Sequence, residues 1–71
     1  MFSIQTLVKL HEACGERFDQ LVKEGAAEGV AMDRVYDCYD ALFIPGKHCY
    51  DKRDRLFETR LRDIARENGE S

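Results

Sequence analysis

Apolar residues recur along the first third of the chain with alternating three- and four-residue spacing, the pattern of an amphipathic helix. Ser3 can cap such a helix through its side-chain oxygen, and Gly25 is suited to ending it. We therefore predict a first helix over residues 4–24. Its apolar seam has the heptad spacing of a coiled coil or a bundle face and comprises Ile4, Leu7, His11, Cys14, Phe18 and Leu21.

Two further helices are predicted, over residues 30–43 and 51–67. The second helix has a wide apolar arc that includes Met32, Tyr36, Tyr39 and Phe43, and its narrow polar strip indicates that it is largely covered. Pro45 disfavours helical geometry at the residue before it, so the helix stops there. The third helix ends at the Asn-Gly pair of residues 68–69, and we expect 68–71 to be a frayed tail.

These elements predict one all-α domain over residues 1–71, either a three-helix bundle or a helical hairpin with a third helix. Short connections favour antiparallel neighbours. A chain of 71 residues buries only roughly 60% of its unfolded surface, and small scaffolds often compensate by oligomerising. We therefore predict a homodimer through the seam of the first helix. The alternative is that this seam faces the other two helices.

The composition excludes several classes of protein for this chain. The chain is 44% hydrophobic with seven aromatic residues, which is not typical of disorder. Its longest apolar run, residues 41–44, is far short of the roughly 20 residues of a membrane span. Three cysteines form no closed disulfide framework, and the N-terminal residues lack a signal-peptide pattern. We expect a cytoplasmic protein with reduced thiols and no membrane association.

The net charge of −3 conceals a basic stripe on the third helix. At 100° per residue, its side chains share one outward arc: Lys52, Arg55, Arg62 and Arg66. Such a row can bind a phosphate backbone or an acidic protein surface. Nucleic-acid binding is the alternative function. Single-strand binding favours aromatic residues among the basic ones, however, and this stripe has none. The stripe could also be a solvated face with local Asp51–Arg55 and Glu58–Arg62 pairs.

The second helix carries an acidic row beside aromatic residues. Asp33, Asp37 and Asp40 lie on one face, where like charges destabilise an isolated helix. Solvent, the basic stripe or an external basic partner could compensate for them. Tyr36 lies next to the row and Tyr50 follows in the connection, and tyrosines are frequent at protein–protein interfaces. We predict that the acidic row, these tyrosines and the basic stripe bind a protein partner.

Five side chains could in principle bind zinc: His11, Cys14, Cys38, His48 and Cys49. The chain has no Cys-x-x-Cys pair, however, so we favour core positions for Cys14 and Cys38 and a polar seam position for His11. The sequence contains no catalytic triad and no glycine-rich phosphate loop. We predict no catalytic residues, no metal and no cofactor.

No motif in the chain is specific to a protein family. In size and composition the chain resembles the small acidic helical proteins that bacteria and their phages use as regulators or inhibitors. That resemblance and the absence of a catalytic constellation predict a non-enzymatic regulator or inhibitor that binds another protein. A small zinc-binding protein is a further alternative.

Overall fold

The computed structural model describes residues 2–49 and 51–67 and shows an all-α three-helix bundle, which confirms the predicted fold class. The described residues contain no strand, and none of their helices is long and apolar enough to cross a membrane. Tyr50 and the predicted tail 68–71 lie outside the described residues. The elements are α1 (Ile4–Lys23), α2 (Glu28–Asp40), a single 3₁₀ turn (Lys52–Asp54) and α3 (Arg55–Glu67).

Local hydrogen bonds define both ends of α1. Ser3 Oγ accepts the backbone N–H of Thr6 at 3.1 Å, as expected for an N-cap. At the other end, the N–H of Ala26 donates to the carbonyl of Leu21, and the N–H of Gly25 donates to Val22. This pair of bonds is a Schellman motif. It requires the φ of +103° that Gly25 adopts, a left-handed conformation that costs glycine little.

The boundaries of the other two helices differ from the prediction. α2 begins at Glu28, two residues early, because an acidic residue in the first turn interacts favourably with the helix dipole. It ends at Asp40. There the N–H of Leu42 donates to the carbonyl of Tyr39 and the N–H of Phe43 to that of Asp40, and these bonds span three residues instead of the four of an α-helix. Before α3, residues 52–54 form a 3₁₀ turn instead of α-helix.

The direction of α3 differs from the antiparallel expectation. α1 and α2 are antiparallel, and the ring of Phe2 meets that of Phe43 at 5.3 Å. α3 runs in the same direction as α2, because Asp54 contacts Arg34 in the middle of α2 while Arg62 reaches the carbonyl of Ala41 at its end. Residues 41–51 are long enough to run back along the bundle, so the expectation of antiparallel neighbours is wrong for α2 and α3.

The buried face of α1 lies about a quarter turn from the predicted seam, measured at 100° per residue. Its buried positions are Thr6, Leu10, Ala13 and Leu21. Other seam residues, Leu7, Cys14 and Phe18, pack against the core from one side. Ile4 is 80% exposed and His11 is exposed, so these two seam positions lie outside the core. The shift arises because α1 packs between two helices, which together cover a face centred between them.

α2 is less covered than its narrow polar strip predicts. Its buried residues are Ala31, Val35 and Cys38, whereas Val30, Met32 and Tyr36 remain exposed. A bundle of three short helices covers only one side of each, so the rest of the apolar arc stays at the surface. The expectation that α2 is largely covered is therefore wrong.

Candidate functional site

Asp54 is a buried carboxylate that joins three elements of the bundle. Only 1% of it is exposed. Its Oδ1 accepts from Arg17 Nη2 at 2.8 Å and from Arg34 Nη2 at 2.9 Å, and its Oδ2 accepts from Arg34 Nε at 2.9 Å. These bonds link α1 and α2 to the turn before α3. We assign this cluster to the stability of the fold, because its carboxylate oxygens are already occupied by guanidinium groups.

In the Asp54 cluster both the carboxylate and the guanidinium groups that bind it are charged. Burial by itself would raise the pKa of Asp54, but the hydrogen bonds from Arg34 and Arg17 outweigh burial and hold that pKa below its usual range. The hydrogen bond to Asp54 likewise raises the pKa of Arg34. This cluster is not predicted by the sequence pattern. Its one local signal is the position of Arg17, which lies on the same helical face as Leu10 and Leu21.

A second buried carboxylate, Glu58, fastens the returning connection to α3. Its Oε1 accepts the backbone N–H of Cys49 at 2.7 Å, and its Oε2 accepts from Arg62 Nε at 3.4 Å. The ring of His48 lies 3.6 Å from the same oxygen. The local Glu58–Arg62 pair expected from the sequence is therefore present. Burial by itself would raise the pKa of Glu58. The hydrogen bond from the Cys49 N–H and the charge of Arg62 outweigh burial, so the pKa lies below its usual range.

Acid is expected to destabilise the protein through these two carboxylates. Their ordinary pKa values are 3.8 for Asp54 and 4.5 for Glu58, and folding lowers both. The unfolded chain therefore binds protons first, so their contribution is complete above about pH 5 and is lost as the pH falls through the lowered values. Urea midpoints followed by circular dichroism between pH 7 and pH 2 measure this loss. Glu58→Gln should reduce the dependence of the urea midpoint on pH. A wild-type urea midpoint that does not change with pH would contradict the prediction.

The predicted basic stripe is only partly available to a partner. Arg62 is half-buried, and besides Glu58 it contacts the carbonyl of Ala41 at 3.3 Å. The expected Asp51–Arg55 pair does not form, since the carboxylate of Asp51 is held by Arg53 at 2.8 Å. The remaining cations of the stripe are exposed on the outer side of the bundle: Lys52, Arg55 and Arg66.

The acidic row on α2 is not neutralised by the basic stripe within the part of the chain that the structure describes. Asp40 pairs instead with Lys47 at 3.7 Å. Asp33 is exposed and Asp37 is half-buried, and neither forms an ion pair with a described residue. The row therefore presents negative charge to the surroundings.

The histidines and cysteines do not converge on a metal site among residues 2–49 and 51–67, where no group of three or more suitable ligands occurs. Cys38 and Cys49 are buried, and Cys14 is half-buried. Burial raises the pKa of Cys14 to about 11 and also raises the pKa of Cys38. Because zinc binds the thiolate, these environments disfavour the zinc alternative.

An open groove between α1 and α2 contains several partly exposed apolar side chains. Met32 is 43% exposed and Tyr36 is 47% exposed. Gly15 contributes no side chain to the α1 side, and the space above it is open, since a Cβ there would meet nothing within 4 Å. The principal lining residues are His11, Cys14, Phe18, Met32, Tyr36 and Tyr39. We take this groove as the candidate functional site.

A row of aromatic contacts continues the groove to the end of the bundle. Tyr39 meets His11 at 5.2 Å, Tyr36 at 6.3 Å and Phe43 at 5.0 Å between ring centroids. The Tyr39 hydroxyl lies 3.5 Å from His11 Nε2. These edge and tilted contacts restrict the orientations of the rings. Binding to side chains that are already restricted costs less conformational entropy than binding to mobile ones.

No protein-family model, curated protein or solved structure matches this chain. The structure places Tyr36 of the predicted site in the groove, whereas the basic stripe lies on another helix. Asp33 does not line the groove and lies about 60° further around α2 than Tyr36. Met32 was not among the predicted site residues, although its place on the apolar arc of α2 was the available signal.

Proposed function

We propose that this protein is a non-enzymatic protein-interaction module that binds its partner in the α1–α2 groove. The observation that carries the proposal is the exposure of Met32 and Tyr36 beside the fixed ring of Tyr39. Apolar side chains that are exposed together in one groove, as opposed to scattered singly, are a feature of interaction sites. Tyrosine and methionine are also enriched in the cores of protein–protein interfaces.

The shape of the groove supports a protein partner over a small molecule. Its volume is about 290 Å³ and it is open along one side. Small-molecule sites enclose most of their ligand in roughly 300–1,000 Å³, so the volume of this groove lies at the lower limit of that range. Its open side would leave a small ligand partly exposed, whereas the same opening admits side chains that project from a larger partner. The raised pKa of Cys14, about 11, also makes this thiol a poor nucleophile.

We place this function among cytoplasmic regulators or inhibitors. The support is the small size of the chain and the three free thiols of the structure, which suit a reducing compartment. A module of this kind acts by occupying a surface on its partner. It needs one specific contact and no catalytic group.

Replacing Tyr36 with alanine is expected to weaken partner binding at least tenfold, the loss typical of an aromatic interface residue. The measurement is affinity capture from the native cell with purified wild type and variant, followed by quantitative mass spectrometry. Val30→Ala is the matched control, because Val30 is an exposed apolar residue on another face of the same helix. Proteins that wild type and Val30→Ala retain and Tyr36→Ala loses would support the groove.

If wild type, Tyr36→Ala and Val30→Ala all captured the same set of proteins, the groove proposal would be contradicted. The nucleic-acid alternative would be favoured instead if wild type captured nucleic acid and only an Arg55→Glu/Arg66→Glu variant lost it. Circular dichroism of each variant establishes that the change in capture does not follow from unfolding.

A homodimer through α1 is a second proposal, supported by the exposure of Ile4 and Val8 on its outer face. We expect wild type at micromolar concentration to sediment at about twice its chain mass of 8.2 kDa. Ile4→Lys should give the monomer, since a buried lysine at a dimer seam is unfavourable. Sedimentation of wild type at 8.2 kDa alone would show that the dimer proposal is wrong.

A further inference from the structure

We propose that the α1–α2 groove binds a basic amphipathic helix of the partner, of about two to three turns. This inference rests on the proposed function and specifies the chemistry of the segment that occupies the groove. Two properties of the groove support it: the charge of its rims and its shape.

The rims of the groove carry negative charge. Asp19 lines the groove on the α1 side. Glu12 does not line it, but lies about two turns before Asp19 on the same face of α1. On the α2 side, Asp33 follows Met32 and lies about 60° around the helix from Tyr36. No lysine or arginine lines the groove within the described chain.

The rim carboxylates are available to a partner. Glu12, Asp19 and Asp33 are exposed, and none of them forms an ion pair with a described residue. Complementary charge on a partner accelerates its encounter and selects against wrong partners. An apolar segment flanked by Lys or Arg therefore fits this groove, and one flanked by Asp or Glu is repelled.

The shape of the groove favours a helix. It runs between two antiparallel helices, and its α2 side extends from Met32 to Tyr39, seven residues or about 10 Å at 1.5 Å per residue. A helix with apolar side chains at positions i, i+3 or i+4, and i+7 presents anchors over the same length. Such a helix would pack against α1 and α2 as a further helix of the bundle. The described residues offer no strand edge to which an extended peptide could add.

Synthetic peptides test the charge and the shape separately. The first probe is a 14-residue Leu/Lys peptide whose leucines follow helical spacing. The second replaces every lysine with glutamate, and the third scrambles the Leu/Lys sequence to remove the apolar face. Fluorescence anisotropy at physiological ionic strength measures the affinity of each labelled peptide for the full chain. We expect the first peptide to bind at least tenfold more tightly than either of the others.

Variants of the protein locate the binding site. Tyr36→Ala should weaken the Leu/Lys peptide at least tenfold, and an Asp19→Asn/Asp33→Asn variant should weaken it about three- to tenfold and flatten its salt dependence. Asp63→Asn is the control, because Asp63 is an exposed carboxylate on α3. This control should leave the affinity unchanged.

Equal affinity for the three peptides would overturn the inference. So would an Asp63→Asn effect as large as that of the rim variant, which would indicate general charge attraction. Self-association lost on Tyr36→Ala would also overturn it, because a second copy would then be the occupant. If the groove variants abolish capture from the cell while the peptides show no charge preference, only the partner class is wrong. If neither experiment responds to Tyr36→Ala, the proposed function fails as well.

Discussion

Asp54→Ala is expected to lower the free energy of unfolding by about 3–5 kcal/mol, the usual cost of removing one partner from a buried ion pair. The substitution leaves Arg17 and Arg34, both largely buried, without the carboxylate that they share. Native domains are stable by only about 5–15 kcal/mol, and small ones lie at the low end. A large part of the variant population is therefore expected to be unfolded at room temperature.

Urea denaturation followed by circular dichroism measures this loss. Asp63→Ala is the control, since Asp63 lies 3.8 Å from Arg66 in an exposed pair, and such pairs contribute about 0–1 kcal/mol. Replacing Arg17 and Arg34 with methionine and Asp54 with leucine should recover much of the stability, because apolar residues can substitute for a complete buried cluster. A loss below 1 kcal/mol for Asp54→Ala would show that this carboxylate does not hold the helices together.

Leu61→Ala is expected to lower the free energy of unfolding by about 2–5 kcal/mol. Leu61 is completely buried, in the core cluster that also contains Leu10 and Phe57. Shortening the side chain removes apolar contacts from a core cluster to which all three helices contribute, and it leaves a cavity that the surrounding residues fill only in part. A bundle of this size has few other core residues to compensate.

Leu56→Ala provides a matched control for this substitution. Leu56 lies in the same helix and undergoes the same chemical change, but it is 85% exposed. Its substitution should change stability by no more than about 0.5 kcal/mol. Thermal and urea unfolding of the two variants measure the difference. Equal effects of the two substitutions would contradict the arrangement of α3 that we describe.

The groove and the core are expected to respond differently to substitution. Tyr36 is about half exposed, and it contacts Tyr39 on the outside of the bundle. Its loss should therefore affect binding more than folding. This separation makes the capture and peptide experiments interpretable, because the tested variants remain folded while their binding changes.

The sequence by itself determined the features that depend on neighbouring residues. Helical spacing, the Ser3 cap and the stop at Gly25 defined α1 nearly to the residue. The local Glu58–Arg62 pair was also predictable, because its two members lie one helical turn apart. Such features follow from short-range geometry, so the all-α class and the number of helices could be predicted.

Tertiary structure alone decided which charges are buried and which apolar residues stay exposed. Arg17 and Asp54 are separated by 37 residues, and Arg34 and Asp54 by 20, so no local pattern connects them. The direction of α3 depends on the returning connection, which is held to α3 by the bond from the Cys49 N–H to Glu58, nine residues away. The groove exists because three short helices bury one side of α2 and leave Tyr36 uncovered. Periodicity identifies an apolar face, but only the positions of the other helices determine how much of that face they cover.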